Sequence, residues 1–349
     1  MKRVKWGVIG AGGIATRRTI PGVIEHGKVG TFAALMDVRR DAAEDAAKRF
    51  GVPKVYGTAE ELLADPEVQA VYIATPVHLH LRYIQAAAKA GKHALCEKPL
   101  ALNVAEAEQA VEASRKAGTL LGCAFMMRFH QLNAAARELI ARGEIGRITA
   151  GRAQLVCWYP PIEAAWRQAW KTGGGGALYD LTSHCIDLLE FISGSTVKSV
   201  SAMIQTLVHS YEVDDASTVI MKMENGAQMM ADGFFCVPDA ASRSFLEFYG
   251  TEGAVFGQGT LSQISGGKVE VVISDQASYN AQQDAQPSDR SYELQAEPVN
   301  MYAAEIDQFS HAILEGGRPS CDAEESLWNM RVLEACYRSA REKREIEVT

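Results

Sequence analysis

The stretch Val4-Lys5-Trp6-Gly7-Val8-Ile9-Gly10-Ala11-Gly12-Gly13-Ile14-Ala15 decides the fold. Its first half is an apolar run of the length of one buried strand, and its second half has the form G-x-G-x-x-A and opens a helix. Gly10 permits the tight turn, Gly12 lets a pyrophosphate approach the backbone, and Ala15 lets the helix pack close to the strand. The amides around Gly13 and Ile14, at the helix N-terminus, then face the phosphates. A glycine-rich turn alone is common. Here residues 31–36 follow as a second strand that ends in Asp37, 22 positions after Ala15. An acid there hydrogen-bonds the adenine ribose hydroxyls and repels a 2′-phosphate, which favours NAD. Arg39 and Arg40 keep NADP open, as a phosphate or adenine contact, against the plainer reading of two arginines starting an exposed helix.

Outward from this stretch, strand and helix alternate. Residues 41–50 read as a helix, 55–56 as a strand, 59–63 as a helix, 70–74 as a buried strand and 79–90 as a helix ended by Gly91. The stretch 93–97 then runs into Glu97-Lys98-Pro99, and Asn103 with Glu106 forms a capping box for a helix over 104–117. This spacing predicts a doubly wound parallel sheet. Ligands in such a sheet bind beyond the carboxyl ends of the strands, where the strand order reverses. Thr75-Pro76 and Glu97-Lys98-Pro99 therefore border the expected cofactor crevice. His78 and His80 follow the first of these loops, as nicotinamide ribose contacts or as ordinary helix-opening residues. A lysine followed by proline at the mouth of a strand has a restricted backbone, and a cis peptide before Pro99 is expected.

From residue 120 the texture changes. A helix over 132–142 precedes alternating segments at 147–158, 197–208, 217–223, 228–236, 244–249 and 269–274, read as an antiparallel sheet. The polar stretch 276–291 reads as a loop, and helices are expected over 301–315 and 324–343. Four glycines at 173–176 remove side-chain bulk ahead of a helical pattern that places Asp180 and His184 at i and i+4, on one face. An imidazole held by a carboxylate is a competent proton acceptor. A capping Asp180 and a pocket-filling His184 are the structural alternative.

At 349 residues the chain is long for one core, and two domains are expected. A formal net charge of -8 without long single-sign blocks argues against a nucleic-acid surface. Seven cysteines without a Cys-x-x-Cys pair read as reduced thiols in a cytoplasm rather than a disulfide framework or metal site. The basic start precedes an apolar run too short and glycine-broken for a targeting segment, and no run is apolar enough to span a membrane.

Taken together, Gly10 to Ala15, Ala74-Thr75-Pro76, Glu97-Lys98-Pro99, Arg128-Phe129, Gly143-Glu144-Ile145-Gly146 and the glycine-rich run through Asp180 and His184 resemble the Gfo/Idh/MocA oxidoreductases along nearly the whole chain. The resemblance implies an α/β Rossmann domain over 1–124. It implies an α+β substrate domain over 125–349, with a large open antiparallel sheet that mediates a homodimer or homotetramer; the tail helix either closes this domain or packs back on the first. It carries over the catalytic residues as Lys98, Asp180 and His184. Hydride transfer between nicotinamide and a secondary alcohol or ketone of a sugar, sugar derivative or cyclic polyol such as inositol follows. His184 would accept the hydroxyl proton, Lys98 would steady the alkoxide and Asp180 would orient both, with Lys98 as proton carrier the other assignment. Arg128, Trp158, Tyr159, Trp166 and Arg167 are candidate sugar contacts, and Glu97 with Arg39 joins the cofactor contacts. An NAD-dependent glycosidase using transient oxidation and a non-catalytic NAD(P)-binding regulator are the alternatives; the three polar residues weigh against the second. The family often has a proline where this chain has Gln131, which leaves that substrate-side wall open.

Overall fold

Residues 2–274, 281 and 290–349 are described by a computed structural model. The expected polar loop at 276–291 falls largely outside them. The first apolar run is strand β1, Val4–Ile9. It is followed in the same sheet by β2 (Gly30–Met36), β3 (Lys54–Tyr56), β4 (Ala70–Ile73), β5 (His93–Glu97) and β6 (Leu121–Ala124). The order is β3-β2-β1-β4-β5-β6 and every pairing is parallel, so the reversal lies between β1 and β4. β6 was not foreseen: Leu121-Gly122-Cys123-Ala124 is too short and small to stand out as a strand.

Helices form where the expected signals lie. Gly51 and Gly118 end the helices Arg40–Phe50 and Val104–Ala117 with φ of +70° and +67°, in the left-handed region that glycine tolerates. Asn103 caps the second through Glu106 N at 2.9 Å, whereas the Glu106 carboxylate takes the amide of Leu102 rather than that of Asn103.

The chain forms two compact units, one of Met1–Met126, Ala164–Gly175 and Asn300–Arg331, the other of Met127–Glu163, Gly176–Val299 and Val332–Thr349. The first crossing between the units lies at 126/127, and residues 164–175 and 300–331 return to the first unit. Asp307 shows why the last return occurs. Its carboxylate accepts the amides of Lys28, Val29 and Gly30, each at 2.8 Å, and so fastens the helix Met301–Glu315 to the start of β2. Trp6 adds an indole hydrogen bond to Ser310 at 2.9 Å and an edge-on contact with Phe309.

The second unit is built on a nine-stranded sheet. Its strands are β7 (Ile148–Val156), β8 (Val197–Gln205), β9 (Ala216–Met223), β10 (Gln228–Phe234), β11 (Phe245–Gly250), β12 (Gly253–Gln258), β13 (Lys268–Ile273), β14 (Tyr292–Glu293) and β15 (Ile346–Glu347). The order is β14-β13-β12-β11-β7-β10-β9-β8-β15. The sheet is mixed rather than wholly antiparallel, because β7 and β10 run parallel in the register Ala150↔Gln228 to Val156↔Phe234. The helices Gln131–Ala141 and Ser183–Ser193 pack together, and the second covers one sheet face; Gly151 and Gly233 face Leu189 and Thr182 respectively.

Candidate active site

In the first unit the turn after β1 shows why its residues are glycines. Gly10 has φ +92°, and a Cβ there would lie 2.8 Å from the carbonyl oxygen of Ala74 at the end of β4. A Cβ on Gly12 would lie 3.4 Å from Asp37 Oδ2 and 3.5 Å from Arg39 Nη2. The backbone of the turn, the acid and the guanidinium therefore meet at one place. Asp37 is buried and its Oδ1 accepts the amide of Arg39 at 3.0 Å, whereas Arg40 turns to Glu44 at 2.8 Å. These residues fit a dinucleotide: a bare backbone for the pyrophosphate, an acid for ribose hydroxyls, and a buried Thr75 Oγ1 without a hydrogen-bond partner among the described residues. Gly13, with φ +45°, has nothing near its Cβ position, and Ile14 leads into a five-residue π-helical turn, Ala15–Thr19, that the sequence pattern does not announce.

The loops after β4 and β5 are tied together by His80. Its Nδ1 lies 3.0 Å from the carbonyl oxygen of Pro99 and its Nε2 2.9 Å from that of Thr75, and the ring is fully buried. Burial pushes its pKa down to about 4 against the pull of the carbonyls of Thr75 and Pro99. A neutral ring donates through one nitrogen only, so only one of the two carbonyls accepts a hydrogen bond from it, and the other nitrogen faces its carbonyl without a proton between them. His80 is thus fully buried between these two loops. His78 is exposed on the short turn Val77–Leu79 after Pro76. The Lys98-Pro99 bond is cis, as expected. Lys98 is half-buried, and its amide donates to Glu97 Oε2 at 3.3 Å. Trp166 and Arg167, expected in the substrate domain, fold with the first unit, where Arg167 stacks on Trp166 at 4.1 Å and its charge acts on Glu97.

In the second unit Asp180 and His184 lie on a continuous helical run, but its first turn, Leu178–Thr182, is π-helical and only Ser183–Ser193 is α-helical. Such bulges frequently mark functional sites. From residue 175 to 189 every side chain is buried except Asp180, which is half-exposed, and His184 is 3% exposed. The N-terminal amides of the run are capped from afar by Asp214, whose carboxylate takes Gly176 N at 3.0 Å and Leu178 N at 2.8 Å. Tyr337 donates its hydroxyl to the same carboxylate at 2.5 Å. Burial raises the Asp214 pKa, and these hydrogen bonds oppose the rise. Gly176 is required by this arrangement, since a Cβ would lie 1.8 Å from the Asp214 carbonyl oxygen.

Arg128 fills a different role from the expected sugar contact. It is buried, and its Nε lies 3.0 Å from both carboxylate oxygens of Asp187, with Nη2 2.6 Å from Oδ1. Its guanidinium also lies over Phe191. Arg128 therefore pins the helix that carries His184. Tyr159 is half-buried against Phe235, with ring centroids 4.9 Å apart, and Trp158 is partly exposed beside His209. Asp187 and Asp214 were missed because nothing in their local sequence names their partners.

A parallel sheet reversed between β1 and β4, with a glycine turn set over an acid at its carboxyl edge, defines a dinucleotide-binding protein. Residues 4–125 match the model of the oxidoreductase family with an NAD-binding Rossmann fold, and residues 133–256 match the GFO/IDH/MocA C-terminal domain. The chain is 31% identical to 1,5-anhydro-D-fructose reductase of Ensifer adhaerens, over 93% of each chain. It is 28% identical to D-xylose 1-dehydrogenase (NADP(+)) 2 of Haloferax volcanii, over 96% of this chain and 97% of that one. An aldose-aldose oxidoreductase from Caulobacter crescentus, solved in complex with glycerol, matches with a TM-score of 0.88 at 25% identity, over 99% of this chain and 100% of its own. The protein belongs to the GFO/IDH/MocA family of NAD-binding oxidoreductases. No helix among the described residues is long and apolar enough to cross a membrane.

Proposed function

We propose that this protein transfers a hydride between nicotinamide and a secondary alcohol or ketone of a sugar, sugar derivative or cyclic polyol. The nicotinamide dinucleotide supplies the hydride chemistry when bound. NAD is favoured because the Asp37 carboxylate meets the glycine turn; Arg39 beside it keeps NADP as the second cofactor. In the oxidative direction His184 accepts the hydroxyl proton, Lys98 balances the charge developing on that oxygen, and Asp180 orients the imidazole and the hydroxyl. The reverse reaction reduces the ketone. The observation that carries this reading is the contrast along residues 175–189, where an otherwise buried helix leaves Asp180 open and sets His184 four residues on. The sugar-acting relatives support the substrate class. Tyr159, Trp166 and Arg167 remain proposed substrate contacts.

We further propose that the protein is cytoplasmic and forms a homo-oligomer through the nine-stranded sheet. Met203 and Ile220, 68% and 56% exposed on its open face, support that surface. Nicotinamide absorbance with NAD and NADP in parallel, across inositols, aldoses, anhydrosugars and glycosides, identifies the substrate. Lys98→Ala and His184→Ala should each lose most turnover while still binding cofactor; near-full turnover in both would sink the assignment.

A further inference from the structure

Glu97 precedes Lys98, and its carboxylate lies at the edge of the first unit's core. Oε1 accepts the hydroxyl of Tyr72, and Oε2 accepts the amide of Lys98 at 3.3 Å. Tyr72 lies in the middle of β4, fully buried, with its ring in the apolar cluster that includes Val8, Ala15, Leu95, Ile306 and Phe309. Its hydroxyl also accepts the Thr19 hydroxyl at 3.0 Å, from the end of the π-helical turn that follows the glycine motif. A hydrogen-bonded path thus runs from Thr19 through Tyr72 and Glu97 to the backbone of Lys98.

The chemistry gives this path a direction. Burial, with the Glu97 charge beside it, pushes the Tyr72 hydroxyl well above its usual range, so it remains a donor wherever the protein is folded. Burial also pushes the Glu97 carboxyl upward, while Tyr72, then Lys98 and Arg167, pull it back toward the ionised form. An ionised carboxylate is acceptor-only and can hold both donors at once. A phenol in an otherwise apolar strand, Ala70-Val71-Tyr72-Ile73, is an expensive choice for packing alone, because its hydroxyl needs a partner when buried.

We propose that Tyr72 is a positioning residue for Lys98, acting through Glu97: it holds the carboxylate that fixes the Lys98 backbone. This rests on the reading that Lys98 takes part in the chemistry, and it adds a residue from the core of the neighbouring strand. The groups facing Glu97 are Tyr72 from β4, Cys96 and Lys98 on its own segment, Arg167 from the turn Trp166–Gln168, and Tyr302 on the helix Met301–Glu315, which also brings Glu305 close to Tyr72 and Tyr302.

The test compares Tyr72→Phe with Thr19→Val, which removes the outer hydrogen bond and leaves Tyr72 on Glu97. In the cofactor-free protein, competitive acetylation followed by mass spectrometry reads the Lys98 amine. Tyr72→Phe should raise its labelling at least threefold relative to the other lysines, and Thr19→Val should leave it unchanged. In turnover, Tyr72→Phe should lower kcat about tenfold with NADH affinity held within twofold, the loss of one positioning hydrogen bond. It should also move the acidic limb of the kcat profile to higher pH, since Glu97 loses the donor that keeps it ionised. Unchanged labelling together with kcat within threefold of wild type overturns the proposal. If Lys98→Met is inactive in that case, only the Tyr72 role is lost; if Lys98→Met turns over normally, the reading of Lys98 fails and the Tyr72 role with it. Should Tyr72→Phe not fold, Glu97→Gln is judged by the same labelling and kcat criteria.

Discussion

The loop that carries Lys98 is gripped by near neighbours in the chain, whereas the helix that carries Asp180 and His184 is gripped from far away. Tyr72 is 25 residues from Glu97, and His80 is 19 from Pro99. Asp214 is 38 residues from Gly176, Arg128 is 59 from Asp187, and Tyr337 is 123 from Asp214. A parallel sheet brings the ends of adjacent strands together by its own order, so the first grip is a by-product of topology. The second needs several independent long-range contacts, each resting on one side chain. Failure in the two regions should therefore look different.

The sharpest way to break this comparison is Arg128→Leu. It leaves Asp187 buried without its bidentate partner, and chemical denaturation should show a loss of ~3–5 kcal/mol. If the arginine bound substrate instead, KM would rise while stability stayed unchanged. On the other side of the comparison, His80 links the local grip to pH. Its folded pKa of about 4 lies below the ordinary value of 6.5, so the folded state holds fewer protons. Its contribution is present above pH 6.5 and is lost as pH falls through 4, by up to ~3 kcal/mol. His80→Gln should flatten that part of the stability-versus-pH curve; an unchanged slope would show that the bridge does not titrate. The mildest test is Tyr337→Phe. It removes one of the hydrogen bonds on Asp214 and should cost ~0.5–1.5 kcal/mol in the same denaturation assay. Turnover should fall more than cofactor affinity, because the disturbed helix carries Asp180 and His184.

How far these grips could be read from the sequence follows the same division. The parallel sheet, the glycine turn after β1 and the cis bond at Lys98-Pro99 were legible because each depends on residues close along the chain. Six strands of the nine-stranded sheet were legible as alternating segments; β12, β14 and β15 were not, and neither was the parallel pairing of β7 with β10, since alternation reports which face a residue takes and not its neighbour. Arg128 was expected at a substrate and His80 at a cofactor because both side chains are typical of sites. Both instead serve the backbone or a buried acid, and the partners that absorb them, Asp187 and the carbonyls of Thr75 and Pro99, become visible only once the chain is folded. Tyr72 left the one readable trace, a hydroxyl stranded in an apolar strand.

The cap on the Asp180 helix also sets an order of events during synthesis. Asp214 can reach Gly176 and Leu178 soon after it leaves the ribosome, but the hydroxyl that braces it belongs to Tyr337. At about 5–20 residues per second, the 123 residues between them take about 6–25 s to make. Until then the nascent protein carries this helix with its capping carboxylate only partly satisfied, whereas Tyr72 and His80, which hold the Lys98 loop, have already emerged.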